Sequence, residues 1–192
     1  MNYTIETERL YLRPWIEADK AGFRAMNSDP QVMEYFPRPL SEQESDALIE
    51  RISKNITERG YGLWALETKS DREFIGFTGL NLTTFHSEFT PCIEVGWRLK
   101  HSQWGKGYAS EGATACLNYG FNKLDLDEIF SFTSVLNKRS IKVMERIGME
   151  RVKEFDHPNL TEGEKLRRHV LFKSTKTDYL RLTAQKVSSF YD

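Results

Sequence analysis

The spacing of apolar positions changes several times along the chain, and each change marks an element. Ile5, Leu10 and Leu12, set among Thr and Tyr and ended by Pro14, predict a first strand over residues 5–14. Phe23 and Met26 stand at helical spacing within residues 17–28. Asp29-Pro30 and Pro37-Arg38-Pro39 then forbid regular structure. Ser41 precedes Glu44 by three residues, the spacing of a capping box, and Leu48, Ile49, Ile52 and Ile56 mark one face of the helix that follows. Gly60 stops it. Residues 61–67 and 74–82 read as two strands joined by the polar turn Lys69-Ser70-Asp71-Arg72. Ile93, Val95, Trp97 and Leu99 alternate with Glu94, Gly96 and Arg98, which makes a strand with two different faces.

A tight loop, Trp104-Gly105-Lys106-Gly107, hands that strand to a helix with Ala109, Ala113, Cys116, Leu117, Gly120 and Phe121 on one side. Residues 127–135 form another strand. Asn137 starts a helix with Ile141, Met144 and Ile147 inward, and Gly148 suits its C-terminal end. Strands at 149–155 and 169–173 follow. Residues 175–192 stand apart from the domain of residues 1–174 as a tail, in which Leu180, Ala184, Val187 and Tyr191 line a short amphipathic helix; it reads as docked on the domain, with a partner-binding helix and a disordered end as the alternatives. The order is β-α-α-β-β-β-α-β-α-β-β. An antiparallel meander followed by strand–helix–strand does not make a doubly wound sheet. It makes an α/β fold with a mixed, mostly antiparallel central sheet of about seven strands, flanked by about four helices, with one parallel junction.

Composition narrows the function classes. The 192 residues hold 39% hydrophobic residues, enough for one substantial core. A net charge of −1 offers no basic field for nucleic acid or an anionic membrane. No apolar run reaches the ~20 residues a membrane helix needs, and Met1-Asn2-Tyr3-Thr4 shows no signal-peptide pattern. Cys92 and Cys116, only two and far apart, suit free thiols in the cytoplasm, and neither has a His or Cys at metal-ligand spacing. The four histidines show no partner spacing.

Gly105 and Gly107 open the amides of a helix N-terminus, where the dipole favours an anion. A P-loop is excluded, because no glycine lies five residues before Gly105 and Lys106 precedes Gly107. Gly105-x-Gly107-x-x-Ser110 nearly matches a dinucleotide fingerprint, but it follows an antiparallel meander, past the middle of the chain. The third candidate is a loop for the pyrophosphate of an acyl-coenzyme A.

The chain resembles the GNAT acyltransferase superfamily, in the branch of ribosomal-protein N-terminal acetyltransferases. The resemblance lies in Thr7-Glu8-Arg9-Leu10-x-Leu12-Arg13, Ile75-Gly76-Phe77-x-Gly79, Glu94-Val95-Gly96-Trp97, the loop through Tyr108-Ala109-Ser110-Glu111, and Asn137-x-x-Ser140 ending in Gly148-Met149. It implies acetyl-CoA as cosubstrate, no metal, and direct attack by an amine in a ternary complex. The cosubstrate would meet the strand at Trp97, Arg98 and Leu99. It would also meet the loop at Trp104, Gly105, Lys106, Gly107, Tyr108 and Ala109, and Asn137 beyond. The family's loop pattern puts Gln or Arg where Trp104 stands.

Amide formation needs a neutral amine, a stabilised carbonyl oxygen and a departing thiolate. Glu94 is the candidate base; pairing with Arg98 on the same strand face is the structural alternative. A backbone N–H near Trp97 or Arg98 would stabilise the oxyanion, with Gly96 marking an opening in the strand. Met144 stands where many relatives carry an acidic tyrosine, so Ser140 is the candidate acid, unless Asn137 and Ser140 only cap their helix or the thiolate leaves unprotonated. Glu111, in the first helical turn, reads as a dipole partner. Tyr35, Phe36, Trp64 and Phe77, with residues 28–40 and the loop near Phe85, would shape the acceptor pocket. A protein or peptide N-terminus is the favoured acceptor. A small amine such as a polyamine or aminoglycoside, a non-catalytic acyl-CoA module and a nucleotide-dependent oxidoreductase are the rivals. Monomer and homodimer both remain open.

Overall fold

A computed structural model gives the fold and describes residues 4–188. Its strands are β1 Ile5–Glu6, β2 Leu10–Arg13, β3 Leu63–Thr68, β4 Phe74–Thr83, β5 Cys92–Leu99, β6 Glu128–Ser134, β7 Glu150–Asp156 and β8 Arg168–Thr175. The helices are α1 Asp19–Ser28, α2 Glu42–Arg59, α3 Tyr108–Asn122, α4 Lys138–Arg146 and α5 Lys176–Ser188, with a 3₁₀ turn at His101–Gln103. The strands form one sheet in the order β1-β2-β3-β4-β5-β6-β8-β7. Pairings β1–β2, β2–β3, β3–β4, β6–β8 and β7–β8 are antiparallel. β5 and β6 run parallel, with Glu94 opposite Phe130. The expected mixed α/β class holds, with eight strands and five α-helices among the described residues.

The extra strand arises because residues 5–13 are a hairpin rather than one strand. The Thr7 amide donates to the Leu10 carbonyl at 3.0 Å, and the Leu10 amide returns to the Thr7 hydroxyl at 3.0 Å. The extra helix is the tail. The face expected from Leu180 and Ala184 is turned outward, with Leu180 47% exposed, while Tyr179 is 7% exposed. Helical geometry selects Tyr179 because its ring lies 5.1 Å from Phe121 and its hydroxyl takes a hydrogen bond from Asn118 at 3.1 Å. Tyr191 and the side chain of Val187 lie outside the described residues.

The chain divides into two compact units, Met1–Asn81 with Val95–Cys116, and Leu82–Glu94 with Leu117–Asp192. In the first, α1 and α2 bury Phe23, Met26, Ile49 and Ile52 against Ala65, Phe74 and Phe77. Such burial is worth ~1.5–3 kcal/mol for each large side chain. The capping box forms as the spacing requires: the Ser41 hydroxyl accepts from the Glu44 amide and Glu44 accepts from the Ser41 amide. Under this core lies a buried ion network. Arg13 donates to both carboxylate oxygens of Asp19 at 2.7 and 2.8 Å and to Glu67 at 2.6 Å. All three residues are buried. Burial works to lower the Arg13 pKa, but the hydrogen bonds from Asp19 and Glu67 outweigh it and raise it.

In the second unit, Cys92, Phe130 and Leu171 form a core beneath Phe89, Phe132 and Phe155. The aromatic side chains of Phe85, Phe132, Phe155, His157 and His169 gather there, with the two histidine rings 4.9 Å apart. Burial lowers both histidine pKa values, His157 to about 4. Cys92 and Cys116 are free thiols, and burial pushes each up to about 12.

Candidate active site

The glycine loop belongs to the first unit. Gly105 and Gly107 both adopt left-handed backbone angles, φ 76° and 85°. A side chain is strained there, so the two glycines let the chain turn from the 3₁₀ segment at His101–Gln103 into α3 at Tyr108. Three contacts fix the loop. The Trp104 indole donates to the Leu99 carbonyl at 3.0 Å, which anchors the residue that departs from the family's Gln or Arg. Lys106 donates to Gln103 at 2.8 Å, so its ammonium is tethered rather than freely mobile. Arg9 donates to the Lys106 carbonyl at 2.9 Å.

Arg9 explains the opening motif. Its backbone amide and side chain bind Glu111 at 2.8 and 2.6 Å, and Thr7 adds a 2.6 Å hydrogen bond to the same carboxylate. Burial works to raise the Glu111 pKa, but the hydrogen bonds from Thr7 and Arg9 outweigh it and hold the carboxyl low. Glu111 is therefore a strut between the first hairpin and α3. The sequence placed it at the helix dipole and missed this clamp, although Thr7 and Arg9 stood in the quoted motif.

Along β5, Leu99 is buried, and Trp97 and Arg98 are partly buried. Gly76 adopts φ 141°, and a Cβ built on it would lie 2.2 Å from the Arg98 carbonyl oxygen, so β4 and β5 approach closely only because residue 76 is glycine. The Arg98 guanidinium turns to α1, donating to Asn27 at 2.6 Å, and lies 4.1 Å from the centre of the Phe36 ring. Trp64 and Phe77, offered as pocket walls, are core residues at 0% and 6% exposure. Phe77 packs with Phe23, Met26, Ile49 and Ile52 of α1 and α2. Tyr35 is partly buried, and Phe36 is exposed over Arg98.

The second unit holds Glu94. Where the spacing offered Arg98 as its partner, the carboxylate accepts instead from the Thr83 hydroxyl at 2.9 Å. Burial pushes its carboxyl up to about 7, with the Thr83 hydrogen bond opposing. A carboxyl with this value changes charge in the range where an amine must lose a proton. Asn137 is the N-cap of α4: its Oδ1 accepts from the Ser140 amide, and its Nδ2 donates to Thr133 and to the Ser140 hydroxyl, all at 3.1 Å. The Ser140 oxygen is thus occupied as an acceptor, which leaves its proton to donate. Met144 is 1% exposed, because that turn of α4 faces the core. His157 and His169, which had no partner spacing in sequence, meet across the β7–β8 hairpin.

A mixed sheet that feeds a strand into a helix through a bare glycine loop presents helix N-terminal amides to an anion. The chain belongs to the GNAT acetyltransferase family: a model described as "Acetyltransferase (GNAT) domain" matches residues 9–150. It is an N-acetyltransferase with acetyl-CoA as cosubstrate. An uncharacterized Bacillus subtilis protein, YkkB, is 34% identical over 74% of this chain and 83% of its own. The Aspergillus fumigatus protein named FsC-acetyl coenzyme A-N(2)-transacetylase is 30% identical over 93% of this chain and 79% of its own. The crystal structure of a GNAT-family acetyltransferase from Bacillus anthracis superposes with a TM-score of 0.76 at 25% identity, covering 90% of this chain and 98% of the other. At the loop, a Cβ on Gly105 would meet nothing within 4 Å, and the Arg9 guanidinium stands 3.3 Å from the Cβ position at Gly107. Among the described residues no cluster of His, Cys, Asp and Glu could hold a metal, and no helix is long and apolar enough to cross a membrane.

Proposed function

We propose that the chain is a cytoplasmic acetyltransferase of the ribosomal-protein N-terminal type. Its acceptor is a primary amine, with a protein or peptide N-terminus favoured, attacking directly in a ternary complex. The transferase domain is residues 1–174, with 175–192 as its tail. The observation that carries the reading is Glu94, a partly buried carboxyl raised to about 7 and supported by the Thr83 hydroxyl. An α-amine has a pKa near ~8 and a lysine amine ~10.4. A base near 7 is matched to the first and weak against the second.

In this reading the neutral amine attacks the thioester carbonyl, and the Glu94 carboxylate accepts, through a water, the proton that the nitrogen sheds as the C–N bond forms. The amides of Trp97, Arg98 and Leu99 orient the pantetheine arm and the developing oxyanion. The loop Trp104–Gly107 and the first amides of α3, at Tyr108 and Ala109, bind the pyrophosphate. Lys106 adds charge there. Asn137 contacts the pantetheine and holds Ser140, whose hydroxyl proton goes to the departing sulfur. Acetyl-CoA supplies the activated acyl group. The free thiols Cys92 and Cys116 suit a reducing compartment.

The test is thiol release from acetyl-CoA against peptide N-termini, polyamines and aminoglycosides, where faster turnover of peptides is expected. Exclusive turnover of polyamines or aminoglycosides would refute the favoured acceptor. The name of the Aspergillus relative, a transacetylase acting at an N(2) position, supports a second reading with a small-molecule amine.

Two substitutions probe the roles. Gly107→Val places a branched side chain at a left-handed position against Arg9. Calorimetry should show CoA affinity at least ~30-fold weaker, since each tenfold is only ~1.4 kcal/mol, and unchanged affinity would remove the loop from the phosphate site. Ser140→Ala should slow acetyl transfer about tenfold while the α4 cap persists through Asn137 Oδ1. An unaltered rate would take Ser140 out of the chemistry.

A further inference from the structure

In the first unit other arginines have a carboxylate. The buried Arg13 pairs with Asp19 and Glu67, the half-buried Arg24 with Asp46, and the exposed Arg9 with Glu111. Arg98 does not. Among the described residues its guanidinium makes one hydrogen bond, through Nη1 to Asn27, which is itself fully buried and donates to Ser45. The remaining support is aromatic: the Phe36 ring at 4.1 Å and the Phe77 ring at 5.5 Å. Its Nε is buried with no hydrogen-bond partner. Burial pushes the group down to about 10, so it remains a cation at neutral pH. A buried charge without a counter-charge is costly, and such groups concentrate at functional sites.

The free part of the guanidinium has a shape. Nη1 is taken by Asn27, so the Nε–Nη2 edge is the side without an acceptor. That planar pair of N–H groups matches the two oxygens of a carboxylate. Phe36 lies over the same guanidinium and is 38% exposed. It belongs to the segment between α1 and α2, where Pro37-Arg38-Pro39 prevents regular structure.

We propose that Arg98 is an acceptor-specificity residue and that the amine acceptor carries a carboxylate, which pairs with the Nε–Nη2 edge of Arg98 beneath Phe36. This rests on the acetyltransferase reading and narrows its substrate class. A cation held at this point disfavours polycationic acceptors by like-charge repulsion. The carboxylate could be an acidic side chain near a peptide N-terminus or the α-carboxylate of a free amino acid.

The experiment uses the full chain with saturating acetyl-CoA and matched acceptor pairs. One arm compares C-terminally amidated peptides with Asp or Glu at the second position against Asn or Gln. The other compares free amino acids with their amides. In the wild type, kcat/KM for the carboxylate member of one arm should exceed its neutral partner by about 10- to 100-fold. In Arg98→Gln the gap should close to below about twofold, mainly through the KM of the carboxylate member. Arg98→Lys should restore part of the preference. Retained CoA binding and melting temperature in the Gln variant show that it is folded. No carboxylate preference in either wild-type arm, or equal losses on both members in Arg98→Gln, overturns the proposal and leaves the N-terminal acceptor reading standing. A preference confined to free amino acids supports Arg98 and removes the peptide acceptor.

Discussion

Glu94→Gln is expected to lower kcat/KM by about 100-fold at pH 8, with CoA affinity unchanged. General-base catalysis contributes ~10²–10⁴-fold, and the lower end applies because an α-amine of pKa ~8 is already half deprotonated at that pH. The pH profile carries the sharper test. With the carboxyl raised to about 7 by burial, the base works only above that value. Log kcat/KM for an α-amine should climb with slope two below pH 7, slope one between 7 and ~8, and then level. In Glu94→Gln the inflection near 7 should vanish and leave only that of the amine. A variant that keeps both the rate and the lower inflection would show that another group takes the proton. The same burial affects stability. Folding raises this carboxyl from 4.5 to about 7, so between those values the folded chain holds a proton that the unfolded chain releases. Stability therefore falls as pH rises through that window and stays lower above it. The Gln variant lacks that loss, so its melting temperature should gain on the wild type from pH 5 to 8.

Asp19→Ala is expected to be the most destabilising single change, at about 3–5 kcal/mol, because it strips a buried guanidinium of its two-pronged partner. Arg13 would keep only Glu67 and the Pro14 carbonyl. The Ile16 amide would also lose its acceptor, since Asp19 takes it at 3.0 Å. For a chain of this size each kcal/mol moves the midpoint by ~2–4 °C, so the melting temperature should fall by roughly 10 °C. Asp19→Asn should lose less, because its amide oxygen can still accept from Arg13. Thermal and urea melts of both variants decide the matter, and a drop under about 2 °C for the alanine variant would mean that the network carries little of the stability.

Legibility in the sequence followed the range of the interaction. Capping of α2 and α4, the end of α2 at Gly60 and the alternation on β5 are set by neighbours a few residues apart, and they were readable. The glycine loop was readable because left-handed backbone selects glycine. The hairpin at residues 5–13 was hidden, because its break depends on Thr7 and on Glu111, which is 104 residues away from it in the chain. The tail's buried face was missed by one position, since Tyr179 is chosen by Phe121 and Asn118 rather than by its own periodicity. Of the candidate site, Glu94, Asn137 and Ser140 were legible as positions. Thr83 as the partner of Glu94, Asn27 as that of Arg98 and the meeting of His157 with His169 were not, because no spacing rule encodes contacts between separate elements.

The clamp of Thr7 and Arg9 on Glu111, with Arg9 also on the Lys106 carbonyl, means that the form of a segment just past the middle of the chain is partly set by the first hairpin. Transplanting residues 104–111 into a homologue would carry the letters without the scaffold. An exchange that moves residues 7–13 together with them is the smallest graft that keeps the loop in shape.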